Sequence, residues 1–232
     1  MRRLARILSI ALITAGVVVL ADVGLTVAYR EPVSSIYGAI QQRAAASDLE
    51  DLEERYPAAA DLRRIARVPD DRRKVRILAR RFGRQVEEGE GIGRINAPTM
   101  DGLDAVIVEG TDTGTLQKGP GRYPRTAYPG EGETIGIAGH RTTYLAPFRH
   151  IDSLQRGDEI VLEMPYATLT YEVEKTAIVD PSRLGVIRDV GYERLVLSAC
   201  HPLYSAAERY IAFARLIRAT PNERSASEAA GN

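Results

Sequence analysis

The chain opens on a long apolar stretch. Residues 7–21 carry no charge, and after Asp22 the apolar character resumes through Val23, Leu25, Val27 and Ala28. A bilayer core needs about 20 helical residues, so residues 7–29 predict a transmembrane helix with Asp22 placed near the outer interface. The texture then changes over 30–89. Leu49, Leu52, Tyr56, Leu62, Ile65, Val75, Leu78 and Phe82 recur at helical spacing among Ala, Arg and Glu. Pro32, Pro57 and Pro69 interrupt this stretch, which predicts two or three short helices. The reading for 30–89 is a partly helical, solvated spacer with no chemistry of its own.

From residue 90 the period shortens. β-prone runs at 105–108, 134–138, 159–162, 169–176, 194–197 and 210–217 are separated by Gly, Pro and Asp. Closely spaced strands with turn signals predict a mainly β domain, a barrel or sandwich, over 90–220. Gly119-Pro120-Gly121 and the stretch 129–132 read as loops, 113–118 as a short helix, and 221–232 as a small, polar, disordered tail.

Charge changes this picture only locally. Lys+Arg and Asp+Glu number 31 each, so nothing global points to nucleic acid or another charged polymer. Arg2, Arg3 and Arg6 precede the apolar run, which puts residues 1–6 in the cytoplasm and everything after Arg30 outside. The basic start and apolar run also fit a cleaved signal peptide, but no convincing small-x-small cleavage site follows. A retained single-pass anchor is the expectation. The cations are nearly all Arg, in the manner of a high-GC bacterium, and the one cysteine excludes an internal disulfide.

That cysteine also narrows the chemistry. Cys200 ends the run 195–200 just before His201 and Pro202, where proline halts a ladder and leaves a thiol at a rim. His140 likewise ends the run 134–140, with Ala138 and Gly139 leaving room for something to approach. Two strand ends can face one cleft. A thiol becomes an effective nucleophile only as thiolate, so a base or cation beside it is required. Arg209 opens the run 210–217 soon after Cys200. A hairpin-like return would bring its guanidinium to the thiol, where it could hold a carbonyl and its oxyanion. His201 adjoins Cys200, so on a regular strand it points to the other face and reads as a turn residue. His150 reads as a loop position.

These motifs resemble the sortases, the cysteine transpeptidases of Gram-positive surfaces, and most closely their actinobacterial class E. Gly139-His-Arg-Thr-Thr-Tyr-Leu-Ala-Pro-Phe148 is similar to the histidine motif, Val196-Leu-Ser-Ala-Cys-His-Pro202 to the cysteine motif, and Ser205-Ala-Ala-Glu-Arg209 to the run ending in the arginine. The resemblance implies an eight-stranded β-barrel with short helices. It implies His140 as acid/base, Cys200 as nucleophile and Arg209 as oxyanion and substrate clamp. It implies further that Cys200 cleaves a carboxyl-terminal LAXTG- or LPXTG-like signal between Thr and Gly through a thioester. An amine of a cell-wall precursor such as the lipid II peptide, or of a pilin, then takes the acyl group. Tyr144, Thr142, Ser198 and Ala199 are the candidate substrate contacts. Tyr144 reads equally as a specificity residue and as a packed loop aromatic. Val196 and Ala199 stand where the family writes threonine, and Ala199 lacks a hydroxyl beside the thiol.

No cofactor or metal is expected. Glu131, Glu133 and Asp158 lack the spacing of a calcium site. The expected partners are signal-bearing surface proteins, the precursor amine and the membrane. An L,D-transpeptidase would carry Gly before the cysteine and Arg two positions after it, where this chain has Ala199 and Pro202. A non-catalytic surface-binding protein that keeps the barrel is the remaining alternative.

Overall fold

In the computed structural model, residues 2–28 and 32–222 are described. The tail expected to be disordered at 221–232 is corrected at its start, since Pro221 ends the last strand and the Asn222 amide donates to the Met164 carbonyl at 2.9 Å; 223–232 lie outside the described residues. Helix α1 spans Arg2–Ala28. Its segment Arg3–Ala21 is long and apolar enough to cross a membrane, and none of it is buried against protein.

Three helices follow: α2 (Pro32–Arg55), α3 (Ala59–Ile65) and α4 (Asp71–Phe82). Their breaks fall at Pro57 and Pro69, as proline's missing N–H and fixed φ require. Asp70 caps α4 by accepting from the Arg73 N–H at 2.7 Å. α2 is longer than the short helices predicted, because no breaker lies between Pro32 and Pro57 except Gly38.

The spacer reading is corrected here. Leu52, Tyr56, Leu62, Ile65, Val75, Leu78 and Phe82 are buried in one cluster with barrel residues such as Ile95, Leu162 and Tyr166. The Tyr56 hydroxyl donates to the Leu78 carbonyl at 2.6 Å. The Phe82 ring sits 5.1 Å from Tyr166 and 5.5 Å from Tyr128. Each such buried side chain is worth about 1.5–3 kcal/mol. The helical period was the face that packs on the barrel.

The barrel is closed in the order β1-β2-β3-β4-β7-β8-β6-β5. Its strands are β1 (Gly91–Ala97), β2 (Leu103–Glu109), β3 (Gly121–Arg122), β4 (Thr134–Ala138), β5 (Glu159–Met164), β6 (Ala167–Val179), β7 (Arg194–His201) and β8 (Glu208–Pro221). The short helix α5 (Thr113–Leu116) joins β2 to β3. All neighbours are antiparallel except β2/β3 and β4/β7. The six predicted runs became β2 and β4 to β8. β1 and β3 were missed, and part of the 119–121 loop reading is corrected, since Gly121 begins β3. A Cβ at Gly121 would collide with the Gly110 carbonyl oxygen.

Two side chains secure this short strand. Arg122 lies opposite Glu109 in the β2/β3 register and donates through Nε at 2.8 Å to its carboxylate, with both groups buried. Gln42 of α2 acts as a strand surrogate where β3 is too short. Its amide donates to the Val106 and Lys118 carbonyls at 3.0 and 2.6 Å and accepts from the Val106 N–H at 2.8 Å. The β2 groups that would otherwise be orphaned are thereby satisfied.

Candidate active site

Strand β7 sorts its residues by alternation. Leu195, Leu197 and Ala199 belong to the barrel core. Val196 packs outside it with Ile211 and Phe213. Cys200 is therefore on the outer face with Ser198 and Val196, and its thiol is free and half-buried. β8 pairs with β7 so that Cys200 and Arg209 are direct cross-strand partners. Directly opposed residues project to the same face with Cβ atoms about 4.5–5.5 Å apart. The guanidinium Nη1 of Arg209 is steadied by the carbonyls of Ala206 and Glu208, both at 3.0 Å.

His140 arrives from the parallel neighbour. Ala138 is level with Ser198 in the β4/β7 register, and the Gly139 N–H donates to the Ser198 carbonyl at 3.0 Å. The chain therefore leaves the sheet at His140 beside the end of β7. The loop returns at Phe148, whose N–H donates to the His140 carbonyl at 2.9 Å. The room offered by Gly139 is taken by the Phe148 ring, which a Cβ would approach to 2.6 Å. Burial lowers the His140 pKa, because the imidazolium is stripped of water. Its Nε2 is buried with no hydrogen-bond partner among the described residues.

A cleft of about 50 Å³ runs along the outer face of β7, lined by Ser198, Arg209, Ile211, Tyr123, Leu184 and Ile187. Three larger hollows, of about 310, 400 and 390 Å³, lie between α4 and the barrel, between α2 and the loop after His140, and along α4; Cys200 and His140 line none of them, nor the small cleft. The small cleft matters more for chemistry because Arg209 lines it.

The candidate contacts separate. Ser198 lines the cleft. Ala199 is 3% exposed and turned into the core, so its missing hydroxyl is not missing from the cleft. A threonine there would have to bury its oxygen among apolar side chains. Thr142 is half-buried in the loop and lines neither the cleft nor the α2 hollow. Tyr144 lines the α2 hollow and packs its ring 5.3 Å from that of His140 and 6.1 Å from Tyr37. Tyr144, Leu145 and Ala146 all hold positive φ, a left-handed turn that non-glycine residues adopt only under tertiary constraint.

One functional candidate escaped sequence reasoning. Arg141 is 4% exposed and ties the His140 loop to the end of β7. It donates to the Arg149 carbonyl at 3.2 Å and the Cys200 carbonyl at 3.4 Å, lies 3.3 Å from His201 Nδ1, and pairs with Asp152 at 2.6 Å. Its place directly after the strand-end histidine was the available signal. His201 points away from the thiol, its ring 5.9 Å from Tyr210, the core-side partner of Ala199. His150 stands on an exposed loop with Nε2 3.8 Å from Asp101.

Thiol, imidazole and guanidinium thus leave three adjacent strands at one end of the barrel. Such a set can perform nucleophilic acyl transfer without a metal. The sortase-domain family profile matches residues 95–217, more than half of the chain. Sortase D of Bacillus subtilis is 36% identical over 56% of this chain and 66% of its own length. Sortase SrtE1 of Streptomyces coelicolor is 28% identical over 62% of this chain and 45% of its own length. The chain therefore spans about half to two thirds of these relatives. The structure of a Clostridium perfringens Sortase D5 transpeptidase superposes with a TM-score of 0.58 at 26% identity, covering 75% of this chain and 98% of that one. Class D and class E proteins both appear among the relatives, so class E is a finer assignment than the family.

Proposed function

The chain belongs to the sortase family of cysteine transpeptidases, and on that premise we propose that Cys200 acylates itself on a carboxyl-terminal sorting signal and passes the acyl group to an amine. The observation that carries this is the direct pairing of Cys200 with Arg209 beside the chain exit at His140. Neutral His140 takes the thiol proton as Sγ attacks the Thr carbonyl, and Arg209 donates to the oxyanion. His140 then returns that proton to the departing glycine amine, leaving a thioester. In the second half the incoming amine attacks the thioester and loses a proton to His140. Cys200 leaves and recovers it as thiol.

The signal is LAXTG- or LPXTG-like, and the apolar cleft beside Ser198 suits its aliphatic residues. The acceptor is an amine of a cell-wall precursor or a pilin. Class E is the finer reading, supported by the histidine and cysteine motifs. α1 anchors the chain with its amino terminus in the cytoplasm and the barrel outside, supported by Arg2, Arg3 and Arg6 before the apolar run.

The test mixes the full chain in detergent micelles with LAXTG and LPXTG peptides and an amine, and follows Cys200 thioester and new amide by mass spectrometry. Product from either peptide is expected. If neither gives product while an active sortase does under the same conditions, the reading fails.

A further inference from the structure

The first two turns of α2 carry two different surfaces. On one side Ser34 is buried and accepts a hydrogen bond from the Tyr144 N–H at 3.2 Å. One turn on, a Cβ at Gly38 would stand 3.0 Å from the Tyr144 carbonyl carbon. This side is packed on the loop that carries His140. On the other side Ile36 and Ile40 are 67% and 56% exposed, and Tyr37, 44% exposed, flanks them with its ring 6.1 Å from that of Tyr144. Residues at this spacing share one helical face. Beyond them the exposed positions turn polar, first Arg43 and then Glu50, Asp51 and Glu54.

Such a cluster is unlike the exposed apolar residues of the barrel, which are separated along the chain, as at Ile178, Leu184 and Ile217. Clustered exposed apolar groups mark a surface that water does not cover in the working protein. Its position names the cover. α2 begins at Pro32 and α1 ends at Ala28, so only residues 29–31 separate the helix that carries this patch from the apolar helix.

We propose that the first two turns of α2 lie in the bilayer interface, with Ile36 and Ile40 in the acyl boundary and Tyr37 at headgroup level. This rests on the reading of α1 as an anchor. Two aliphatic side chains and a tyrosine suit the interface, where aromatic rings with one polar end collect. Arg43 follows at the height of the phosphates, where a long cationic side chain keeps its head in the polar layer. The acidic end of α2 is repelled by an anionic surface and rises into water, so α2 leaves the membrane at a tilt. The consequence is catalytic geometry. The His140 loop packs across the same two turns from Ile36 and Ile40, within about one helix diameter, roughly 10 Å, of the acyl boundary. An acceptor amine carried on a lipid would reach the thioester at that height.

The chain has no tryptophan, so a single introduced indole reports its own surroundings. Full-length Val17→Trp, Ile40→Trp and Ile217→Trp variants would each be reconstituted into phosphatidylglycerol/phosphatidylethanolamine vesicles, with and without brominated acyl chains. Val17 probes the anchor, and Ile217 sits at the far end of β8 from Arg209. Quenching and a blue shift at Val17→Trp and Ile40→Trp, with neither at Ile217→Trp, is the expected result. Quenching at Val17→Trp alone overturns the interfacial placement and leaves the anchor standing. No quenching at any site overturns both. A blue shift at Ile40→Trp that bromine does not quench and that grows with protein density assigns the patch to a second copy, and also overturns the proposal. Ile36→Trp replaces Ile40→Trp if circular dichroism finds that variant unfolded.

Discussion

Cys200 and Arg209 are opposed residues of the β7/β8 ladder, and their register sets the thiol and the guanidinium on one face of the sheet. Cys200→Ala should abolish thioester and amide formation. Arg209→Ala should lower turnover by about 10²–10³-fold, the effect of removing one oxyanion donor. Arg209→Lys should not restore it, because a point charge does not reproduce the planar fork. Steady-state rates on peptide and amine, with thioester read by mass spectrometry, check all three.

Burial holds His140 neutral to lower pH than the ordinary imidazole value of about 6.5. The acid limb of kcat/KM should therefore fall through a pKa below that value. For stability the folded-state pKa is the depressed one. The contribution is present above the unfolded imidazole pKa and is lost as pH falls through the folded value. Thermal unfolding of the His140→Gln variant should lack this loss, and an identical acid decline in both proteins would refute the assignment.

Arg141 positions the loop rather than touching substrate. Arg141→Ala frees the loop from the Cys200 and Arg149 carbonyls, and should cut kcat about tenfold or more, since small misplacements of catalytic groups are expensive. KM for the peptide should stay nearly constant, and the acid limb set by His140 should move. A fall in melting temperature with unchanged kcat in the folded fraction would mark a purely structural role. His150→Ala, on its exposed loop, should change turnover little.

The buried Arg122–Glu109 pair holds a strand of two residues. Arg122→Ala should destabilise by about 3–5 kcal/mol, since it strands a buried carboxylate. Glu109→Gln should be milder, because the amide oxygen still accepts. Urea unfolding of the two single variants measures the difference.

A form beginning at Gly89 should be far less stable than one beginning at Pro32. It uncovers the barrel surface that Leu52, Tyr56, Leu62, Ile65, Val75, Leu78 and Phe82 seal, and each lost burial is worth about 1.5–3 kcal/mol. A lower melting temperature and binding of a hydrophobic dye are expected. Equal melting of both forms would restore the spacer reading.

What was legible in the chain followed from local signals. The runs that became β2 and β4 to β8 are short and rich in Val, Ile, Leu or aromatic residues, and each is bounded by turn signals. The breaks at Pro57 and Pro69 came from proline, and the helix expected at 113–118 forms over Thr113–Leu116, where the Asp112 carboxylate accepts from the Gly114 N–H at 2.8 Å. β1 was hidden by Gly91 and Gly93, which weaken any strand pattern. β3 was hidden because two residues carry no period.

By itself, the sequence determined which groups were available: one thiol, three imidazoles, and an order of His140, Cys200 and Arg209 that fits one family. It determined the apolar face of the 30–89 helices too, since a 3.6-residue period exists before folding. Tertiary structure alone decided where those faces went. The same periodic leucines could have faced a partner or water, and only the closed barrel offered the apolar surface that claims them. It also decided that Ala199 looks inward while Ser198 and Cys200 look outward, because side-chain direction on a strand depends on which face the barrel closes over. Arg141 owes its burial to the same cause: it takes its role from the ends of two strands that meet only when the β4/β7 ladder forms.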